Sequence, residues 1–448
     1  MAKLVSRLSL PEAIGLSLSI ISPTVTAAFN ISLVVQYAGP AAPLTFAIGM
    51  IAMAFVALSF IAFTHRVAHA GSAYAYIAHT FGKRAGFIGG CALLLTYVGF
   101  TTGFAALVGS FVSAALSGLS IELGSWWVAV ASAALLLAWW LSFRDMRLAG
   151  RLMFGLEAGA ILAIVALCFS ILHQVHPSAA QTLASFQPSP SFRGWSGLGY
   201  GMVFSILSFG GFEGAATLGE ETVNPRRNIP IALFSTVVGS GIFFVFVAYC
   251  EVIGFGTNGI KDLGQSQAPL NDLALRYASP RLAIALDLAA AASCFSGMIG
   301  GISAAGRILF AISRGGLSPA LSKVHPVHGT PALAVSVAAM LIFLPILLWA
   351  PFSGSGNYYS YTSTIGVLAL ILVYIAVGTA ETIEAWREHQ RTWATACLVG
   401  PILVLVVLYC NLYPVPDFPN NLWPYVAFTW VIGAWALTRW RPGVTAAD

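Results

Sequence analysis

The repeated apolar stretches of this 448-residue sequence constrain its fold more than any other feature. Each stretch is about 20 residues or longer, the length an α-helix needs to cross the hydrocarbon core of a bilayer. Only 8% of the residues are charged, whereas soluble domains carry about a quarter. We therefore predict an all-α integral membrane protein with about twelve spans. The predicted spans cover residues 12–37, 42–64, 84–114, 123–142, 151–173, 196–219, 229–255, 281–311, 331–350, 360–380, 392–413 and 422–439.

The distribution of Lys and Arg between the predicted loops indicates the orientation of the chain. With the N-terminus inside, 17 of the 21 Lys and Arg residues fall on the inner side, as the positive-inside rule requires. We expect a multi-pass protein of the plasma (inner) membrane with both termini cytoplasmic and the lipid bilayer as its surroundings. The net charge of +5 is small, and no basic cluster or stacking platform points to a nucleic-acid partner.

Two of the predicted spans contain helix-breaking residues near their middles. Residues 22–24 of the first span read Ser-Pro-Thr, and proline removes a backbone donor and clashes with the preceding turn. Residues 209–212 of the sixth span read Phe-Gly-Gly-Phe, and paired glycines weaken a helix. Interruptions at matching positions of two halves are typical of transporters built from inverted repeats. We predict repeats over residues 12–173 and 196–380, with two further C-terminal helices over 392–439.

The whole chain is expected to form one transmembrane transporter domain over residues 1–440, followed by a short cytoplasmic tail at 441–448. The six cysteines lie in apolar segments without CxxC spacing, so neither a disulfide framework nor a metal site is predicted. No nucleophile–base pair, metal-ligand cluster or cofactor motif indicates an enzyme. A channel would need a repeated pore loop or a charged ring, and neither occurs. The oligomeric state stays open.

Three segments resemble one transporter family, in the right order and spacing. SFGGFEGAATLGEETVNPRRNIPIA (208–232) is similar to the sixth span and following loop of the amino acid–polyamine–organocation superfamily. HAGSAYAYIAHTFG (69–82) is similar to its loop between spans two and three, and GRILFAISRGGLSPALSKVHPVHGTP (306–331) to its eighth span running into the ninth. The resemblance covers residues about 8–440.

The resemblance implies a five-plus-five inverted repeat with broken helices 1 and 6 and two extra helices. It also implies transport of amino acids, polyamines or other organic amines by proton-coupled uptake, by exchange or with sodium. The sequence departs from the family at two places. Where many members have a glycine-rich break in span one, this chain reads SPTVTAAF (22–29). Where some proton-coupled members carry a lysine in span five, this span has Glu157 and no lysine.

The two breaks are the candidate substrate site. An interrupted helix leaves backbone groups that a substrate can satisfy in a dry setting, and a half-helix N-terminus favours an anion. Two phenylalanines beside the second break are candidate aromatic gates, and Tyr97 lies midway along span three. A kink that only packs on its neighbours is the alternative reading. The predicted substrate-binding residues are Ser22, Pro23, Thr24, Val25, Thr26, Tyr97, Phe209, Gly210, Gly211, Phe212 and Glu213.

Four polar residues within the spans are candidates for binding or coupling. A carboxylate in mid-membrane is costly and normally faces the protein interior. Glu213 would bind a substrate ammonium, or else hold the break through backbone amides or a tyrosine hydroxyl. Glu157 is the candidate proton carrier, or else a hydrogen-bonded residue that fixes spans five and one. Ser293 and Ser296 would complete a sodium site, as in sodium-coupled relatives of this fold, or else pack between helices.

Charged residues cluster after the sixth span and are candidates for ion pairs of an inner gate. A solvated loop is the alternative, because exposed pairs are individually weak. The residues are Glu220, Glu221, Arg226 and Arg227, with Arg66, Arg147 and Arg151 as further partners.

The sequence thus predicts a secondary active transporter for amino acids or small organic amines, working by alternating access. The polar groups near the breaks are few, which favours a neutral amino acid or a small amine over a polyamine. A proton is favoured over sodium as the coupling ion, by symport or exchange. The alternative is a sodium-coupled or uncoupled carrier of another small organic solute. No cofactor is expected.

Overall fold

Helices account for the regular structure of the described part of the chain. The computed structural model describes residues 8–66, 72–142, 146–188, 192, 194–325, 329–413 and 415–440. Within these residues no β-strand occurs, and one isolated bridge joins Leu8 to Thr222. The prediction of an all-α protein is confirmed.

The α-helices are numbered here in chain order. They are α1 (Leu10–Ile21), α2 (Pro23–Val25), α3 (Ile31–Ala38), α4 (Ala42–Arg66), α5 (Ala73–Phe81), α6 (Lys83–Ser117), α7 (Trp127–Ser142), α8 (Met146–Val175), α9 (Ala179–Ala184), α10 (Gly194–Phe209), α11 (Pro225–Phe255), α12 (Ile260–Gln265), α13 (Pro269–Tyr277), α14 (Pro280–Arg314), α15 (Ala332–Leu348), α16 (Ser355–Arg387), α17 (Arg391–Leu412) and α18 (Trp423–Trp440).

The helices account for the predicted spans. Ten helical segments of the described residues are long and apolar enough to cross a membrane. The first of these, Leu10–Arg66, contains both of the first two predicted spans, and the other nine correspond to spans three to eleven. Helix α18 occupies the place of the twelfth span, predicted at 422–439, and is rich in tryptophan. The chain is a multi-pass membrane protein.

The first span is broken where the sequence predicts. Helix α1 begins with a capping box in which the Ser9 amide donates to the Glu12 carboxylate at 2.9 Å. It ends at Ser22, whose φ of 50° is left-handed and turns the chain. Pro23 then starts a new helical turn, as a residue without an N–H can do at no cost. One π-helical turn over Thr26–Asn30 leads into α3.

The sixth span is broken at its paired glycines, also as predicted. Helix α10 ends at Phe209, and a 3-10 helix over Phe212–Leu218 continues the span. Gly211 between them has a φ of 108°, a conformation that side chains disfavour. A Cβ at this position would lie 2.3 Å from Cγ2 of Ile20 in α1. The two breaks therefore pack directly against each other.

Three long helices form the frame around the breaks. Helix α6 packs along both α14 and α16, while α4 packs along α11. Helix α1 lies against α8, α11 and α14, which places the first break at the centre. The division into repeats over 12–173 and 196–380, with 392–439 outside them, stays a prediction.

The close approach of α6 to α16 yields a testable stability prediction. A Cβ on Gly99 would lie 2.6 Å from the backbone oxygen of Thr362 and 3.1 Å from Cα of Gly366. Because backbone atoms cannot give way like a side chain, we expect Gly99→Ala to lower the free energy of unfolding by about 1–3 kcal/mol. The measurement is the thermal unfolding midpoint of the purified protein in detergent.

The matched control is Gly239→Ala in α11, where an added Cβ meets no atom within 4 Å. Alanine is the better helix former, so this variant is expected to match or exceed the wild-type midpoint. Equal midpoints for Gly99→Ala and the wild type would contradict the close packing of α6 on α16.

Candidate functional site

Every residue predicted for binding or coupling is buried in the structure. The predicted residues divide into two hydrogen-bonded groups, one at each helix break, with packed side chains around them. Because these groups are closed off from the surface, a solute can reach them only if helices move apart.

The first group is a network centred on Glu157. Its Oε1 atom accepts a hydrogen bond from the Thr24 amide at 2.7 Å. Its Oε2 atom accepts one from the Ser293 hydroxyl at 2.5 Å. The Ser293 hydroxyl also lies 2.6 Å from the hydroxyl of Ser22. The network therefore joins the first break to α8 and α14, and the structure brings these four predicted residues together.

The second group is centred on Glu213, which follows the second break. Tyr97 in α6 donates its hydroxyl to Oε1 at 3.1 Å. Tyr374 in α16 donates to Oε2 at 2.9 Å, and the Gly211 amide donates to the same oxygen at 3.1 Å. This carboxylate therefore satisfies a backbone amide freed by the break and two tyrosines of neighbouring helices. These are the contacts expected of the structural alternative, and they take three of the about four acceptor positions of the carboxylate.

Ser17 links the two breaks and was not predicted from the sequence. Its hydroxyl donates to the backbone oxygen of Phe212 at 2.7 Å and accepts from the Ala215 amide at 3.0 Å. Both backbone groups are freed where the sixth span is interrupted. A lone serine in an apolar helix carries no distinguishing signal, because small polar residues commonly pack between membrane helices.

Asn30 forms a third polar contact that sequence reasoning missed. Its side-chain oxygen accepts a hydrogen bond from Tyr359 of α16 at 2.7 Å. Its Nδ2 atom donates to Ser208 at 3.1 Å, and more weakly to Thr26 at 3.4 Å. An amide inside an apolar span is costly unless it is paired, and that signal was available in the sequence.

The two predicted gating phenylalanines lie in different aromatic clusters. Phe209 meets Phe244 of α11 edge-on, with ring centroids 5.2 Å apart. Phe212 meets Phe60 of α4 edge-on at 5.4 Å and lies 5.6 Å from Tyr374. Both rings are fully buried. Their packing closes the space on either side of the second break, and their role as gates stays a prediction.

The predicted sodium ligands differ in their surroundings. The Ser293 hydroxyl is shared by Glu157 and Ser22, whereas the buried hydroxyl of Ser296 has no hydrogen-bond partner among the described residues. Val25, Thr26 and Gly210 are buried beside the breaks. Among the described residues, no group of three His, Cys, Asp or Glu side chains could hold a metal ion.

The acidic residues after the sixth span pair with α14. Arg307 donates to both carboxylate oxygens of Glu221, at 2.7 and 3.0 Å, and is only 2% exposed. Arg314 donates to both oxygens of Glu220, at 2.6 and 3.2 Å. The backbone oxygen of Glu221 also accepts from the Leu8 amide at 2.9 Å. The start of α1, the loop after the sixth span and α14 are thus tied together at one end.

The predicted arginine partners are not the observed ones. Among the described residues Arg226 and Arg227 form no ion pair with Glu220 or Glu221. The side chains of Arg147 and Arg151 lie outside the described part of the structure.

Arg66 pairs instead with two carboxylates near the end of α16. It donates to Glu381 at 3.2 Å and to Glu388 at 3.0 Å. The hydrogen bond from Arg66 holds the pKa of the exposed Glu388 carboxyl below its ordinary value.

Comparison with known proteins agrees with the family resemblance seen in the sequence along most of the chain. The model of a protein family described as "Amino acid permease" matches residues 8–436. The chain is 26% identical over 361 residues to the branched-chain amino acid permease BcaP of Lactococcus lactis subsp. cremoris, covering 75% of each protein. It is 28% identical over 316 residues to the low-affinity putrescine importer PlaP of Escherichia coli K12, covering 68% of this chain and 66% of that protein.

A solved structure shares the fold. The chain resembles a crystal structure of a manganese transporter mutant from Eremococcus coleocola with a TM-score of 0.64. The match covers 100% of this chain and 99% of that one at 12% sequence identity.

Substitution of Glu213 distinguishes its structural role from binding of a substrate ammonium. Glutamine keeps one oxygen for the Gly211 amide and Tyr374, and its NH₂ group can donate to Tyr97. We therefore expect Glu213→Gln to retain folding and transport, and Glu213→Leu to lose about 1–3 kcal/mol of stability because buried donors lose their acceptor. The measurements are the unfolding midpoint and uptake in proteoliposomes. Normal stability of Glu213→Gln with abolished substrate binding would show instead that the charge contacts the substrate.

Proposed function

The chain belongs to the amino acid permease family of the amino acid–polyamine–organocation superfamily, and we propose that it is a proton-coupled carrier of neutral amino acids or small amines. Its relatives are transporters rather than enzymes, and the chain is a secondary transporter of small molecules. The observation that carries the proposal is the contact of Glu157 with the first break.

Glu157 accepts the hydrogen bond of the Thr24 amide, which is the donor that a substrate carboxylate would need. The amides of Val25 and Thr26 both donate to the backbone oxygen of Ser22, at 2.9 and 3.2 Å. The Thr24 amide donates to Glu157 instead. A half-helix N-terminus is a favourable place for an anion, so a substrate carboxylate competes with Glu157 for the Thr24 amide.

Protonation of Glu157 decides this competition in the substrate's favour. A protonated carboxyl is a weaker acceptor, so it loosens its hold on the Thr24 amide. The proton also neutralises one carboxylate when a second arrives, and two unpaired negative charges would be very costly in this low-dielectric setting. Proton and substrate therefore bind together, which is the thermodynamic basis of symport. Release of either one favours release of the other.

The polar groups near the breaks fit a substrate with one ammonium group. A diamine needs a carboxylate at each end, yet Glu213 already accepts three hydrogen bonds within the protein. Hydroxyl and backbone oxygens at the first break suffice for a single ammonium, and the surrounding rings and aliphatic side chains suit an apolar side chain. The branched-chain amino acid permease is accordingly the better guide among the relatives than the putrescine importer.

One observation favours a second candidate, a sodium-coupled carrier. Within the described part of the chain, the Ser296 hydroxyl is buried on α14 without a hydrogen-bond partner, one turn from Ser293. A hydroxyl with backbone carbonyls of the first break is a hard-oxygen set that suits a small cation. Uptake that requires sodium and persists without a proton gradient would support this candidate.

Glu157→Gln tests the proton proposal. Glutamine can still accept from the Thr24 amide but cannot take up a proton. We expect accumulation driven by a proton gradient to be abolished in proteoliposomes, and the rise of uptake with external acidification to disappear. Binding of the amino acid to purified protein is retained in this variant.

The matched control is Glu251→Gln, which changes the other fully buried glutamate packed near α8. It lies outside the network at the first break, so gradient-driven uptake through the Glu157 mechanism should persist. A wild-type pH profile in Glu157→Gln would rule out this residue as the proton carrier.

A further inference from the structure

A cavity lies between α3, α10, α16 and α17, away from the two breaks. It has a volume of about 290 Å³. Its lining includes Tyr37, Phe204 and Thr364, together with Asn411 and the segment 415–417. In the predicted orientation these residues belong to the outer ends of their helices. The cavity therefore faces the exterior of the cell.

The first wall of this cavity is aromatic. The ring of Tyr37 stacks on Tyr200 at a centroid distance of 5.9 Å and on Phe204 at 6.0 Å. Tyr200 and Phe204 are four residues apart and so project from one face of α10. All three rings line the cavity. Such electron-rich faces attract organic cations within about 6 Å of a ring centroid.

The lining of the cavity also includes an acidic side chain. Asp417 lines the cavity and is exposed, and within the described residues its carboxylate has no ion-pair partner. Asn411 donates Nδ2 to the Val407 backbone oxygen at 2.9 Å, so its side-chain oxygen is the atom left for a ligand. Both residues of the lining carry oxygen acceptors.

We propose that this cavity binds an organic ammonium ion, separately from the transported substrate. A carboxylate and an amide oxygen in one lining with three aromatic rings match a cation with an apolar surface, because Asp417 can attract the charge while the rings contact its methyl or methylene groups. A zwitterion fits less well, since among the described residues no cationic side chain lines the cavity to receive its carboxylate.

The position of the cavity gives its ligand an effect on transport. Among the described residues, none that lines the cavity belongs to α6, α8 or α14, which hold the central networks. The cavity instead joins the outer halves of the two broken spans to α16, α17 and the segment before α18. The backbone oxygen of Phe204 accepts the Ser208 hydroxyl, which in turn accepts from Asn30. A bound cation would therefore restrain the outer half-helices against α16 and α17.

Tetramethylammonium is the probe for this site, because it has neither a carboxylate nor an N–H group for the central site. Binding is measured by the thermal unfolding midpoint of the purified full-length protein, which a ligand of the folded state raises. tert-Butanol serves as the uncharged control of similar shape, and sodium chloride controls for ionic strength. We expect Asp417→Asn to weaken tetramethylammonium binding about tenfold or more.

Two matched variants make the result specific. Asp262→Asn is the same change on an exposed aspartate of α12 outside the cavity, and should leave tetramethylammonium binding unchanged. Glu157→Gln should also leave it unchanged, so failure of the coupling proposal would not affect this test. In proteoliposomes, tetramethylammonium should lower the maximal rate of amino acid uptake without changing KM, and Asp417→Asn should relieve this inhibition.

Three results would overturn the proposal. If tert-butanol raised the unfolding midpoint as much as tetramethylammonium does, the cavity would be an apolar void that does not recognise charge. If Asp417→Asn and Asp262→Asn weakened tetramethylammonium binding equally, the effect would come from general surface charge and not from the cavity. Competitive inhibition of uptake that persists in Asp417→Asn would place tetramethylammonium in the central site.

Discussion

The interaction on which the structure depends is the capture of a freed backbone amide by a buried glutamate, which occurs at both helix breaks. The Thr24 amide donates to Glu157, and the Gly211 amide donates to Glu213. Inside a membrane protein an unpaired backbone group is costly, so each break is stabilised by its acceptor. The two interruptions in turn free the polar backbone groups around which the proposed site is built.

The two glutamates are held very differently, and this difference separates their roles. Glu213 receives two tyrosines from α6 and α16 besides its amide, so both of its oxygens are committed to neighbouring helices. Glu157 holds one amide and one serine hydroxyl that it shares with Ser22. A group with fewer and shared partners can release them at lower cost. The asymmetry assigns the fixed contact to the second break and the exchangeable contact to the first.

The sequence is enough to locate the breaks but not their partners. Proline and paired glycine act on the local backbone, so positions 22–24 and 209–212 were predicted correctly. Glu157 stood out because charges within spans are rare, yet its contact with Ser293 depends on how α8 and α14 pack across a sequence separation of 136 residues. The partners of Glu220 and Glu221 were missed for the same reason: they are Arg307 and Arg314. Neither was among the candidate arginines, which were Arg66, Arg147, Arg151, Arg226 and Arg227.

The link between the breaks determines how an event at one reaches the other. Ser17 of α1 holds two backbone groups of the sixth span, and Ile20 fills the space beside Gly211. Helix α1 and the 3-10 segment therefore move together, because separating them would leave buried polar groups unpaired. The tyrosine contacts of Glu213 instead run outward to α6 and α16. If, as proposed, protonated Glu157 releases Thr24 and α1 tilts, the strain would fall on those tyrosine contacts, so that proton binding at the first break would be transmitted to the closure at the second.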